Sequence, residues 1–153
     1  MKKLFYLPRI VLIVIVAFCF TACDKDEIDV NYDITGNWKV VSYKTSTVIT
    51  KTEENTWSQF NNGDVTVSFT ETDLTSGEIS GIKVTNAFSG NYTIDNKGAI
   101  TISNLFQTLI NEPEWGRLFD SIRNAESYEV RDNRLIIYYN QKKNSITLEK
   151  LNE

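Results

Sequence analysis

The chain contains no histidine. That absence excludes His-based acid–base chemistry and His-ligated metal centres. Cysteine is nearly as scarce, with only Cys19 and Cys23. Cys19 lies in an N-terminal apolar run and Cys23 has another role, argued below, so neither a disulfide nor thiolate catalysis is expected. Cations are outnumbered, 16 Lys and Arg against 20 Asp and Glu, for a net charge of −4. Nucleic-acid binding needs clustered cations that release counterions, so this balance disfavours it. There are two prolines, and neither a repeat nor a low-complexity tract marks an internal domain boundary. No Gly-x-Ser-x-Gly stretch, phosphate-cradling Walker loop or dinucleotide-binding glycine pattern is present.

Long apolar runs are also missing. Ile10 to Phe20 is 11 residues long, too short to cross a bilayer as a helix but suited to the core of an export signal. Met1-Lys2-Lys3 and Arg9 form a basic segment ahead of it, and Thr21-Ala22-Cys23 follows. The arrangement resembles the lipobox of bacterial lipoproteins, although Phe20 stands where a Leu-like residue is usual. The resemblance implies removal of residues 1–22, acylation of Cys23 and an envelope location, at the outer membrane. Cleavage would leave 131 residues and, with Lys2, Lys3 and Arg9 gone, a charge of −7. The rival reading is an ordinary secretory signal or an uncleaved anchor, with Cys23 incidental. Each buried acyl CH₂ contributes about 0.8 kcal/mol, so two or three chains on one residue make a lasting anchor.

Residues 23–33 read as an acidic, flexible tether, reaching about 35 Å at full extension. Asp24-Lys25-Asp26-Glu27 has two readings. It resembles the surface-export signal of some Gram-negative lipoproteins, or it is a solvated linker. Nothing fixes these carboxylates as a coordination site, so no metal and no cofactor is expected.

Residues 34–153 read as one domain rich in β-branched and aromatic residues, which favour strands. Ile34 and Gly36 mark a turn into a strand over Trp38 to Tyr43, and Thr45 to Thr52 continues it or forms another. Val65, Val67 and Phe69 alternate with polar residues, the signature of a half-buried strand. Ile79, Ile82 and Val84 suggest a strand broken near Gly81. Gly90 to Ile94 and Ala99 to Ile102 flank a hairpin turn at Asp95-Asn96-Lys97-Gly98. Trp115, Leu118, Phe119 and Ile122 form a helical stripe, with Asn111 as its cap and Glu112 and Glu114 near the positive end of its dipole. Gly116 should cost that helix about 1 kcal/mol relative to Ala. Ser127 to Val130, Leu135 to Tyr139 and Ser145 to Leu151 close the chain, the second apolar enough to be covered on both faces. The expected class is α+β: mostly antiparallel β, barrel-like, with one helix inserted before the last strands.

Thr85-Asn86-Ala87-Phe88-Ser89-Gly90-Asn91-Tyr92, with Gly36-x-Trp38 upstream and the later order of turn, strand, helix and strands, resembles the META domain family of small bacterial envelope lipoproteins. The family motif reads Cys-Asn-x-Tyr-x-Gly-x-Tyr. Thr85 stands in place of its cysteine, and no cysteine lies near Asn111, where many relatives have a second, so no role of a cysteine pair transfers. The resemblance implies a fold and a location, and no reaction. Asn86 and Gly90 are expected to fix backbone geometry, with Phe88 and Tyr92 packing inward. A ligand-contacting role for Asn86 is the alternative.

The function expected is non-catalytic binding or structural work, with the membrane engaged through the lipid and a protein partner in the envelope. Three rivals are each tied to an observation. A lipocalin-like carrier of a small apolar ligand needs a water-excluded cavity lined by Trp38, Phe69, Phe88 or Tyr92. An inhibitor or immunity-type protein needs an exposed aromatic surface, for which Trp57 and Phe60 in their polar loop are candidates. A carboxylate hydrolase needs two of Glu112, Glu114, Asp120 and Glu126 to converge, whereas their positions suit solvated faces. Asp120-Ser121-Ile122 also resembles a short O-glycosylation acceptor.

Overall fold

The computed structural model describes residues 33–152. The expected export signal, Cys23 and Asp24 to Glu27 lie outside the described residues. Alternation of apolar and polar side chains sets nine strands: β1 (Gly36–Lys44), β2 (Val48–Ile49), β3 (Thr66–Asp73), β4 (Ser76–Ile82), β5 (Ala87–Ile94), β6 (Ile100–Gln107), β7 (Ser127–Arg131), β8 (Arg134–Tyr139) and β9 (Asn144–Lys150). They form one antiparallel sheet in the order β6-β5-β4-β3-β1-β9-β8-β7, with β2 beside β1.

The sheet curls because its register slips at three places, between Val40 and Ser42, Glu71 and Asp73, and Ser89 and Asn91. Each irregularity bends its strand and adds twist. The two edge strands consequently meet near their starts, where Tyr128 N–H donates to the Gly98 carbonyl at 2.8 Å and Ile100 N–H to that of Glu126 at 3.2 Å. Beyond that bridge they diverge, leaving a curled half-barrel. The diverging part receives α1 (Glu114–Leu118) and a 3₁₀ segment, Phe119–Asn124. Arg123 donates to the Leu105 carbonyl of β6 at 2.7 Å, and Phe119 packs on Phe88 of β5 at a centroid distance of 5.1 Å.

The core fills the concave side. Trp38, Tyr43, Phe69, Ile79, Trp115, Leu135, Ile137 and Ile146 are buried. Trp38 donates its indole N–H to the Ile34 carbonyl at 2.8 Å, which ties the entering chain to the first strand. Phe69 and Tyr92 meet edge to face at 5.4 Å.

Several sequence expectations need correction. Thr45 to Thr52 contributes only the two-residue β2. No break occurs at Gly81, because the glycine serves close packing: a Cβ there would lie 2.0 Å from the Thr66 carbonyl oxygen. β6 runs five residues past Ile102, crossing a bulge at Asn104, whose φ of 50° lies in the left-handed region. In β8, Leu135 and Ile137 are buried but Ile136, Tyr138 and Tyr139 are half-buried, so one face is only partly covered. The α-helix is short and begins after Pro113, not after an Asn111 cap, with 3₁₀ geometry taking over at Phe119. Proline supplies a preset φ and needs no hydrogen-bond partner, so it occupies the helix boundary.

Candidate functional site

Lys83 to Asn86 connects β4 to β5, and Thr108 to Pro113 connects β6 to α1. Their side chains interlock at one end of the half-barrel. Asn86 is buried, and its Oδ1 accepts from Ile110 N–H at 2.7 Å and from the Thr108 hydroxyl at 3.0 Å. Its Nδ2 donates to the Ile110 carbonyl at 2.8 Å and to Glu112 Oε2 at 2.6 Å. Glu112 also accepts from the backbone N–H groups of Thr85, at 3.2 Å, and Asn86, at 3.1 Å. The Glu112 carbonyl accepts from Arg117 at 2.7 Å. Two loops that would otherwise bury bare peptide groups thus satisfy them through one amide and one carboxylate.

Glu112 is therefore not a solvated acid of the helix surface: it is 6% exposed. Its place beneath the helix depends on Gly116, where a Cβ would stand 2.0 Å from Glu112 Oε1. The glycine that weakens the helix is the one that leaves room for the carboxylate.

The other acids named above disperse. Glu114 and Glu126 are exposed, the latter accepting from Gln141 N–H at 2.8 Å. Asp120 pairs with Lys83 at 2.9 Å, and the lysine side chain is 3% exposed. Lys83 gave no signal in sequence, since its partner lies 37 residues away. Ser121, the central residue of the glycosylation-like triplet, donates to the Leu118 carbonyl at 2.8 Å. Nearby, Tyr43 donates to the Trp115 carbonyl at 3.1 Å, and burial, with help from Asp120, holds its phenol well above its ordinary pKa. The buried Trp115 indole N–H has no partner among the described residues.

Of the motif residues on β5, Phe88 and Tyr92 are buried. Gly90 lies beside β6, where a Cβ would come within 2.9 Å of the Ser103 carbonyl oxygen and 3.0 Å of Leu105 Cα. Trp38, Phe69, Phe88 and Tyr92 are all buried members of one apolar core, in which Phe69 meets Tyr92 and Phe88 meets Phe119. Trp57 is half-buried and packs on the core, with only Phe60 largely exposed. The two rings stand side by side, with centroids 6.3 Å apart. Phe106, Leu109 and Ile110 expose more apolar surface, a feature sequence reasoning missed because they border a strand whose length was underestimated.

At the opposite end, where β3, β4 and β5 turn, a cavity of about 430 Å³ opens. Asp33, Glu71, Asp73 and Asp95 border it, with Tyr92 at its inner side and Leu74 and Ile94 as apolar walls. Hydrogen bonds from Ser76 and Thr75 hold the Asp73 carboxyl below its ordinary pKa, and those from Ala99 and Lys97 N–H groups do the same for Asp95. The group of His, Cys, Asp or Glu side chains that a metal ion requires does not occur among the described residues. Nor, among them, is any helix long and apolar enough to cross a membrane.

The model of the META domain family matches residues 32–151. No curated protein matches the chain. Among solved structures, the chain is similar to a DUF4847 family protein from Bacteroides vulgatus ATCC 8482. The two share 16% identity and a TM-score of 0.56, over 78% of this chain and 94% of that one. At that identity the likeness concerns the fold.

Proposed function

The chain belongs to the META domain family, and from that premise we propose that it is a lipid-anchored protein of the bacterial envelope, acylated at Cys23, whose domain performs non-catalytic binding or structural work. The observation that carries this reading is the spacing at the N-terminus. A basic segment, an apolar run of 11 residues and a small-residue step to cysteine stand ten residues ahead of Asp33, where the described structure starts. A short tether between acylated cysteine and folded domain suits a protein held at a membrane surface.

The non-catalytic part of the proposal draws support from how the buried ionisable groups are used. Glu112 is engaged by Thr85 and Asn86, and Lys83 by Asp120, so neither is a free acid or base facing a cleft. Family membership adds a specific point. Thr85 stands at the motif's cysteine, and its hydroxyl lies 2.8 Å from the Asn111 carbonyl and 2.9 Å from Glu112 Oε2. The two places where relatives have cysteines are here joined by hydrogen bonds.

Intact-mass spectrometry of the chain purified from its native envelope tests the anchor. The expected species starts at Cys23 and carries acyl chains, and Cys23→Ser should release the protein from the membrane fraction. An unacylated chain that keeps Met1 would end the proposal. Protease treatment of intact cells tests surface display separately, with Asp24 to Glu27 replaced by neutral residues as the comparison.

A further inference from the structure

The cavity at the β3–β4 end has properties that neither the fold nor the anchor requires. Tyr92 is 2% exposed. Its ring is held by Phe69, and its edge lies over Gly77, where a Cβ would come within 2.7 Å of the tyrosine ring. The hydroxyl is the polar end of this locked side chain. Desolvation, reinforced by the nearby charges of Glu71, Asp33 and Asp73, raises its pKa. The hydroxyl has no hydrogen-bond partner among the described residues. The ring is enclosed while the hydroxyl opens on the cavity, so its hydrogen-bonding capacity is left to water or a ligand.

The surroundings define what would complete it. Four carboxylates border the rim: Asp33 ahead of β1, Glu71 and Asp73 at the end of β3, and Asp95 in the turn after β5. Asp73 and Asp95 are committed to their charged forms by local donors, and Glu71 has no basic partner among the described residues. Lys97, beside Asp95, is the cation that offsets this end. Leu74, 89% exposed at the β3–β4 tip, and Ile94 supply apolar surface next to the charge. An inorganic dication does not suit this rim, since Ca²⁺ needs six to eight oxygens at about 2.3–2.6 Å and the acids stand apart. A cavity of about 430 Å³ falls within the range of small-molecule sites.

We propose that this cavity is a binding site for a primary ammonium carried on a short aliphatic stem. The ammonium sits between the Tyr92 hydroxyl, which accepts one of its hydrogens, and the carboxylates of Glu71 and Asp73. The stem lies against Leu74 and Ile94. The inference goes beyond the anchoring proposal and is independent of it, because the site is built wholly within residues 33–96.

The test is calorimetric titration of the full chain with pentylamine, with pentanol and calcium chloride titrated in parallel. NMR of the labelled chain reads which amides move. Pentylamine should bind saturably, weaken as salt rises, and shift amides at Glu71 to Thr75 and Ile94 to Asn96. Tyr92→Phe, which keeps the ring packing, and Glu71→Gln, which alters an exposed side chain, should each weaken binding by about tenfold. The expected selectivity is pentylamine well above pentanol, with calcium failing to compete. Absence of a pentylamine signal, equal binding of pentanol, displacement by calcium, or binding that survives both variants would each overturn the proposal. Acylation of Cys23 is read by mass alone, so neither result decides the other.

Discussion

The two ends of the half-barrel handle polar groups in opposite ways. At the Asn86 end, one amide and one carboxylate are buried and surrounded by donors and acceptors from two loops. At the Tyr92 end, an enclosed phenol ring turns its hydroxyl, unpartnered among the described residues, onto a cavity rimmed by carboxylates. The same sheet supports both, since β4 and β5 run from one end to the other. The contrast separates two uses of polarity. Satisfied burial fixes loops, because losing any member leaves peptide groups desolvated and bare. Unsatisfied polarity beside a cavity does nothing for the fold and is available to a ligand.

The largest effect should come from cutting the satisfied end. Asn86→Ala strips partners from Ile110 N–H, Thr108 and Glu112 together, and each bare buried group costs about 1–3 kcal/mol. A loss of about 3 kcal/mol in urea unfolding is expected, with Asn86→Asp also destabilising because it sets a second carboxylate against Glu112. Should Asn86→Ala unfold within about 0.5 kcal/mol of the parent, below the cost of one bare buried group, the clasp would not be what fixes these loops.

Gly116→Ala attacks the same end from beneath. On an exposed helix the change would stabilise, since Ala is favoured by about 1 kcal/mol. Here the added methyl collides with Glu112, and overpacking costs about 1–3 kcal/mol. The sign of the measured change therefore decides between helix propensity and the buried carboxylate. A double variant with Glu112→Ala should recover part of the Gly116→Ala loss, the coupling expected of neighbours in contact.

At the other end the expected signal is in acid. Asp73 and Asp95 have folded-state pKa values below their unfolded ones. Their contribution is thus complete above the unfolded value, about 3.9, and is lost as pH falls below it through the folded values. Amide exchange at Thr75 and Lys97, whose N–H groups donate to these carboxylates, should quicken below about pH 4. The Ile110 amide at the Asn86 end should hold longer. Asp73→Asn should flatten the response at Thr75 alone; equal acid sensitivity in both loops would erase the distinction drawn between the ends.

What the sequence disclosed follows the range of the interactions. Val65, Val67 and Phe69 announce β3 because alternation is local, and Asp95 to Gly98 announces its turn for the same reason. The barrel-like α+β class was readable from such pieces in series, and the Asn86 to Tyr92 motif carried the family. Glu112 was misread as solvated because its donors, Thr85 and Asn86, lie 27 and 26 residues away. Asn111 was misread as a cap because the helix begins two residues later, after Pro113, whose preset φ suits a helix boundary without any side-chain cap. The cavity left no local trace, since Asp33, Glu71, Asp73 and Asp95 come from three stretches of chain that only the strand order brings to one end.

Glu71→Gln should produce the smallest change in stability and is for that reason the sharpest probe of the open end. Glu71 is exposed and stands among like charges, with no ion pair among the described residues. Surface charges of this kind are worth little individually, within about 0.5 kcal/mol. Neutralising one should leave urea unfolding unchanged or raise stability slightly as repulsion with Asp33 and Asp73 falls. A rim built to hold the fold together would instead weaken when that carboxylate goes. Marked destabilisation by Glu71→Gln would therefore mean that the acids at this end are structural after all, and the two ends would differ in exposure without differing in purpose.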